Sequence, residues 1–193
     1  MEILNLLSGI EIAVIVLTLL SASYQDIMTR RVNNLTWLPM LVCVPISAIN
    51  CMLIYQSDSF LTTLYLISAF WFAALVYVAA RVRIFGGADA IALILIAVLV
   101  PVSPFVPVIV ISGLTSVFVF PVIVYFNAVI LSAAVPLYLL IRNIDHADKT
   151  PFVTRCTCVP SPCSEDGTMT WNKYPVPFIV PITIGFVLAL MGI

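Results

Sequence analysis

Apolar residues run along this chain in long unbroken stretches, with neither the two-residue alternation of a strand nor the single stripe of a surface helix. A helix needs about 20 apolar residues to cross the hydrocarbon core of a bilayer. Six stretches reach that length, at approximately 4–25, 35–56, 60–80, 89–111, 117–141 and 174–193. Pro101, Pro104 and Pro107 interrupt the fourth, and Ser112-Gly113 follows it. It therefore reads either as one helix or as a short helix continued by irregular backbone, which at membrane depth must be covered by protein or line a cavity. The pattern predicts an all-α, polytopic membrane protein with six transmembrane helices in a single membrane domain over 1–193. A small polar loop region spans 142–173, with Phe152-Val153-Thr154 as strand formers within it. The first stretch has no basic segment ahead of it and carries Glu2 and Glu11, so it reads as a retained helix and not as a cleaved signal.

The basic residues orient these spans. All 8 Lys and Arg (Arg30, Arg31, Arg81, Arg83, Arg142, Lys149, Arg155 and Lys173) fall in the connections 26–34, 81–88 and 142–173. The connections 57–59 and about 112–116 hold none. Basic residues are retained on the cytoplasmic side. The placement predicts a cell-membrane, multi-pass protein with these three loops in the cytoplasm and both termini outside. Composition agrees: 63% of the residues are hydrophobic, 9% are charged and the mean hydropathy is +1.19. A soluble domain carries roughly 25% charged residues. Membrane lipid is the surrounding partner. No basic cluster or aromatic–basic interleaving points to nucleic acid, and the net charge of −1 carries no such signal.

Two aspartates stand out against this background. Arg81-Val82-Arg83-Ile84-Phe85-Gly86-Gly87-Ala88-Asp89 closes one apolar run and opens the next, and an acid at the mouth of such a segment calls for a reason. Asp26 sits at the cytoplasmic end of the first span, on the same side by the arginine count. Two carboxylates a few ångström apart cannot easily both ionise, so one keeps a proton. Such a pair can activate a water and protonate a departing amine, which is the chemistry of peptide hydrolysis by an aspartyl dyad. Structural roles compete. Asp89 could be the N-cap of the fourth helix, and Asp26 could pair with Arg30 one turn on. Gly86-Gly87 could admit an extended substrate backbone or could simply turn the chain. Arg30 and Arg31 could only mark topology, and Asn34 reads as the cap of the second helix.

The remaining polar groups are less specific. Glu11, deep in the first span, either faces a cavity or snorkels. Cys43 and Cys51 read as small buried hydrophobes. Cys156, Cys158, Cys163 and His146 lack the usual zinc spacing, so reduced thiols are expected and no metal. Asp145, Asp148, Glu165 and Asp166 share their loop with four basic residues and read as a solvated surface. His146 is the only histidine, which removes Ser-His and Cys-His nucleophiles.

The stretch Asp26-Ile27-Met28-Thr29-Arg30-Arg31-Val32-Asn33-Asn34 resembles the first aspartate motif of the type IV prepilin peptidases. Gly86-Gly87-Ala88-Asp89 resembles their second, the Gly-x-Gly-Asp motif. Ala88 in place of glycine is the form of archaeal members, the preflagellin and prepilin peptidases. The resemblance implies an aspartyl endopeptidase that removes a short basic leader from preflagellin- or prepilin-like proteins at the cytoplasmic membrane face. Asp26 and Asp89 would be catalytic, and Gly86, Gly87, Ala88, Arg30 and Asn34 would belong to the motif and substrate access. No cofactor is implied. The short 26–34 connection leaves no room for the four-cysteine domain of bacterial members, and with it goes the expectation of their methyl transfer. Ile91 stands where those enzymes often carry lysine. The alternatives from other classes are a small transporter or permease subunit, whose intramembrane acids would be proton or cation sites, and a non-catalytic assembly subunit.

Overall fold

The computed structural model describes residues 2–54, 59–82, 86–100, 110–111, 114–115, 119–144, 151–161, 170–173 and 178–192. Over these the chain is all-α apart from two small hairpins. The order is α1 (Glu2–Thr29), a 3₁₀ turn (Asn34–Trp37), α2 (Leu38–Ile54), α3 (Ser59–Arg81) and α4 (Gly87–Leu99). The short strands β1 (Val110–Ile111) and β2 (Leu114–Thr115) follow, then α5 (Val119–Arg142) and α6 (Phe152–Thr157). The hairpin β3 (Cys158–Ser161) and β4 (Thr170–Lys173) precedes α7 (Ile179–Leu190). Both strand pairs are antiparallel, with Val110 opposite Thr115 and Cys158 opposite Lys173.

The helices surround α4. It packs against α2, α3, α5 and α7, and α7 in turn lies against α1 and α5. A helix that is apolar on every side belongs in the interior, and Ala90, Ala92, Leu93, Leu95, Ile96, Ala97 and Leu99 of α4 are all buried. At Gly185 the backbones of α5 and α7 come so close that a Cβ would lie 2.9 Å from the Val124 carbonyl oxygen and 3.0 Å from the Ala128 nitrogen. Phe120 and Phe186 meet edge to face at 5.6 Å beside this contact.

The polarity of the bundle is inverted. Glu11, Thr18, Ser23, Ser47, Ser68 and Thr183 are buried, whereas Leu17, Phe70 and Ile130 are 66%, 74% and 68% exposed. In water that arrangement leaves apolar surface uncovered. Among the described residues two helices, Leu7–Thr29 and Phe120–Arg142, are long and apolar enough to cross a membrane, and shorter apolar helical stretches accompany them.

Several expected boundaries move, each for a local reason. α1 continues past 25 to Thr29, so Asp26 lies inside its last turn and not beyond it. The helix stops where Arg30 adopts a left-handed conformation, φ 56°, with its amide still bonded to the Asp26 carbonyl. Such a C-terminal residue is usually glycine. The second helix opens with a 3₁₀ turn whose cap is Asn33, not Asn34: the Asn33 carboxamide accepts from the Leu35 amide at 3.1 Å. The fourth span is not one helix to residue 111. α4 ends at Leu99 because Val100 precedes Pro101 and the residue before proline is driven out of the helical region, and Val110–Ile111 form a strand. Phe152-Val153-Thr154, read as strand formers, begin the short helix α6 instead, and the strand follows it. Asn143 ties α6 and β3 to the end of α5, its Nδ2 donating to the Arg155 and Cys158 carbonyls at 2.9 and 3.0 Å. The last helix starts at Ile179, after β4 has run to Lys173. The stretch Arg83-Ile84-Phe85, the four acids of the loop, His146, Cys163 and residues 101–109 lie outside the described residues.

Candidate active site

Asp89 occupies the third position of α4, with Gly86 as the helix N-cap. It is not itself the cap: it reaches back, and its Oδ2 accepts the Gly86 amide at 3.1 Å. This is half of a capping box, in which a carboxylate in the first turn closes on the amide of the residue that starts the helix. Gly86 makes the contact possible, since a Cβ there would lie 2.7 Å from Asp89 Oδ2. Gly87 is different: a Cβ there would meet nothing within 4 Å. Ala88 is partly buried against the core.

Asp26 reaches the same end of the bundle from α1. Its carboxylate accepts from the backbone amide of Ile179, the first residue of α7, and Arg30 lies within electrostatic range of it. The fold therefore sets each of the two aspartates on a helix N-terminus, Asp26 on α7 and Asp89 on α4. Helix N-termini present free amides and a partial positive charge, so each carboxylate is met by donors. α4 and α7 pack on each other, and Asp26 acts electrostatically on Asp89. Both side chains are half-buried, open enough for a reactant to reach them.

A buried lock below the aspartates fixes the α1–α7 register. Ser23, three residues before Asp26, lies 2.8 Å from Thr183, four residues after Ile179. The Thr183 hydroxyl also lies 3.0 Å from the Ile179 carbonyl and 3.3 Å from that of Leu19. Around the other side of Asp26, Gln25 holds the turn that carries the motif. Its Oε1 accepts from the Asn33 amide and from the Thr36 hydroxyl, both at 3.0 Å. Sequence reasoning passed over Ser23, Gln25 and Thr183. Their only mark there is a hydrogen-bonding side chain in apolar surroundings, and Ile179, which contributes an amide, leaves none.

The other sequence candidates lie around this site unevenly. Arg30 and Asn34 are exposed, Arg30 at the end of α1 and Asn34 at the start of the 3₁₀ turn. Arg81, at the end of α3, stacks on Tyr77 at 5.4 Å and donates to its hydroxyl at 3.0 Å. Cys43 is buried, as expected of a small hydrophobe. Cys156 and Cys158 are free thiols on α6 and β3. Among the described residues no three His, Cys, Asp or Glu converge to hold a metal ion.

The family model for the type IV leader peptidase family matches residues 13–137, which is more than half of the chain and includes both aspartates. A preflagellin peptidase from Methanococcus voltae is 31% identical over 143 residues. That match covers 71% of this chain and 59% of the relative, so the chain spans less than two thirds of that protein's length.

Proposed function

The chain belongs to the type IV leader peptidase family, and we propose that it is a membrane aspartyl endopeptidase with Asp26 and Asp89 as its catalytic pair. The substrates would be preflagellin- or prepilin-like proteins, cut between a short basic leader and the hydrophobic helix that follows. The observation that carries this reading is the arrival of both motif aspartates on the N-termini of two helices that pack together. The inverted polarity of the bundle supports a membrane setting. The reading of six spans, with both termini outside and the aspartates at the cytoplasmic surface, rests on the apolar runs and the placement of the basic residues. There a scissile bond lying just before a transmembrane segment would meet them.

In the proposed cycle one aspartate is ionised and the other protonated, since like charges held close do not both ionise. The ionised group takes a proton from a bound water as that water attacks the scissile carbonyl. The protonated group donates to the carbonyl oxygen, and the tetrahedral species collapses as the departing amine receives a proton from the pair. Each aspartate exchanges roles through the cycle. The Ile179 and Gly86 amides hold the carboxylates in place while their charge changes. Gly87, where a Cβ would meet nothing within 4 Å, leaves room for an extended substrate strand to lie against the start of α4.

The test is Asp26→Asn and Asp89→Asn, each assayed for leader removal from a preflagellin in membranes. Both are expected to abolish cleavage while leaving the protein folded. Cleavage retained by either variant would exclude the dyad.

A further inference from the structure

Glu11 has no task in this chemistry, yet its side chain is only 8% exposed in the middle of α1. It does not snorkel. Its carboxyl is hydrogen-bonded to the Ser47 hydroxyl on α2, and Cys43, one turn before Ser47, lies within its electrostatic range. Ser47 Oγ in turn lies 2.9 Å from the carbonyl oxygen of Leu99, the last residue of α4.

The direction of these bonds follows from what each group can donate. A carbonyl oxygen only accepts, so the one proton of the Ser47 hydroxyl points at Leu99. That leaves Ser47 a lone pair toward Glu11, and only a protonated carboxyl has a proton to set on it. The free oxygen agrees: Glu11 Oε1 is buried without a partner. This is tolerable for the carbonyl oxygen of a neutral acid and very costly for a carboxylate. The result is a directed chain, Glu11 to Ser47 to the Leu99 carbonyl.

The chain ends on α4 where α4 needs it. The last four carbonyls of a helix have no amide of their own helix to meet, and in apolar surroundings each must find a donor elsewhere. α4 has 13 residues, a rod of about 20 Å at 1.5 Å per residue. Asp89 stands at one end of that rod and Leu99 at the other. The Ser47 bond is one of the contacts that hold Leu99, and a shift of that end along the rod axis would move Asp89 at the other.

We infer that Glu11 is a positioning residue: as a neutral acid it anchors, through Ser47, the buried end of α4 and so sets the height of Asp89 opposite Asp26. This rests on the reading of Asp89 as catalytic. The role needs a donor at position 11 and no charge.

The experiment compares Glu11→Leu, Glu11→Gln and Ser47→Ala with Asp26→Asn and Asp89→Asn, following turnover of a preflagellin in proteoliposomes. Glutamine keeps a donor without a charge, so Glu11→Gln is expected to stay within about twofold of the parent. Glu11→Leu and Ser47→Ala are expected to lower kcat roughly 10- to 100-fold with KM nearly unchanged, the effect of a small misplacement of a reacting group. The double variant is expected to be no slower than either single one, because both break the same chain. Loss of activity in Glu11→Gln equal to that in Glu11→Leu would overturn the neutral-donor role. Full kcat in Glu11→Leu or Ser47→Ala, even with a lowered melting temperature, would overturn the positioning role. In either case, dead Asp26→Asn and Asp89→Asn variants leave the dyad standing, and cleavage by those two would sink the dyad on its own.

Discussion

Gly86 and Gly87 are adjacent in sequence and differ in what they face, which separates two uses of glycine in one experiment. The backbone at Gly86, φ −65° and ψ 155°, is one that alanine adopts freely. A Cβ added there falls 2.7 Å from Asp89 Oδ2 and 3.6 Å from its Cγ. Carbon and oxygen do not approach below about 3.0–3.4 Å, so the carboxyl must retreat by roughly 0.5 Å or more, within the steep part of the contact potential. The obstacle is the tip of a side chain, so the fold yields easily. The penalty to stability is about 1 kcal/mol, that of exchanging glycine for alanine at an N-cap and weakening one capping bond. The penalty to catalysis is larger, because the group that moves is the proposed catalytic one. Misplacement on that scale costs up to about 100-fold in rate. Gly86→Ala is therefore expected to keep its melting temperature within a few degrees and to lose most of its leader-cleaving activity, chiefly in kcat. Gly87→Ala meets nothing within 4 Å. It is expected to fold normally and, if a substrate strand lies there, to raise KM with little change in kcat. The assay is turnover of purified protein in detergent or proteoliposomes, with thermal unfolding measured on the same samples. Full turnover in Gly86→Ala would refute the argument that Gly86 exists to let Asp89 fold back.

Two further substitutions test the frame that carries the site. Thr183→Val keeps the shape of the side chain but strips the buried bond to Ser23 at 2.8 Å. The cost is expected at about 1–3 kcal/mol, read as a drop in melting temperature, with turnover falling as Asp26 loses its register on α7. Unchanged stability would show that the Ser23–Thr183 pair does not hold the helices. Gly185→Ala pushes a methyl group against the Val124 carbonyl and the Ala128 nitrogen at 2.9 and 3.0 Å. Both obstacles are backbone, so α5 and α7 must part, and a loss of about 1–3 kcal/mol is expected from overpacking. A Gly185→Ala protein that melts with the parent would mean that the two helices are not in contact there.

The inverted polarity explains why the polar groups of this bundle occur in pairs and chains. With apolar side chains turned outward, the hydroxyls and acids that are buried need partners inside the bundle. Ser23 meets Thr183, Ser47 meets Glu11 and Leu99, and Asp26 meets the Ile179 amide. Packing alone leaves uniformly apolar helices free to slide past one another, and these contacts select one register.

What the sequence by itself determined follows from signals that are local. Long apolar runs specify helices without reference to the rest of the chain, and α3 and α5 lie within two residues of where those runs put them. The arginines and the two motifs marked Asp26 and Asp89, because a charge is conspicuous wherever it interrupts such a run. Boundaries were less legible where a proline or a side-chain bond decides them, as at Val100, Arg30 and Asn33. The tertiary structure alone decided the partners: that Asp26 rests on the Ile179 amide, that Ser23 finds a residue 160 positions away, and that Glu11 reaches the end of α4 through Ser47. The physical reason lies in α4 and its neighbours. A helix apolar on every side has no preferred face, so its sequence carries no information about its rotation or height. A few buried hydrogen bonds supply both, and they exist only once the helices have met.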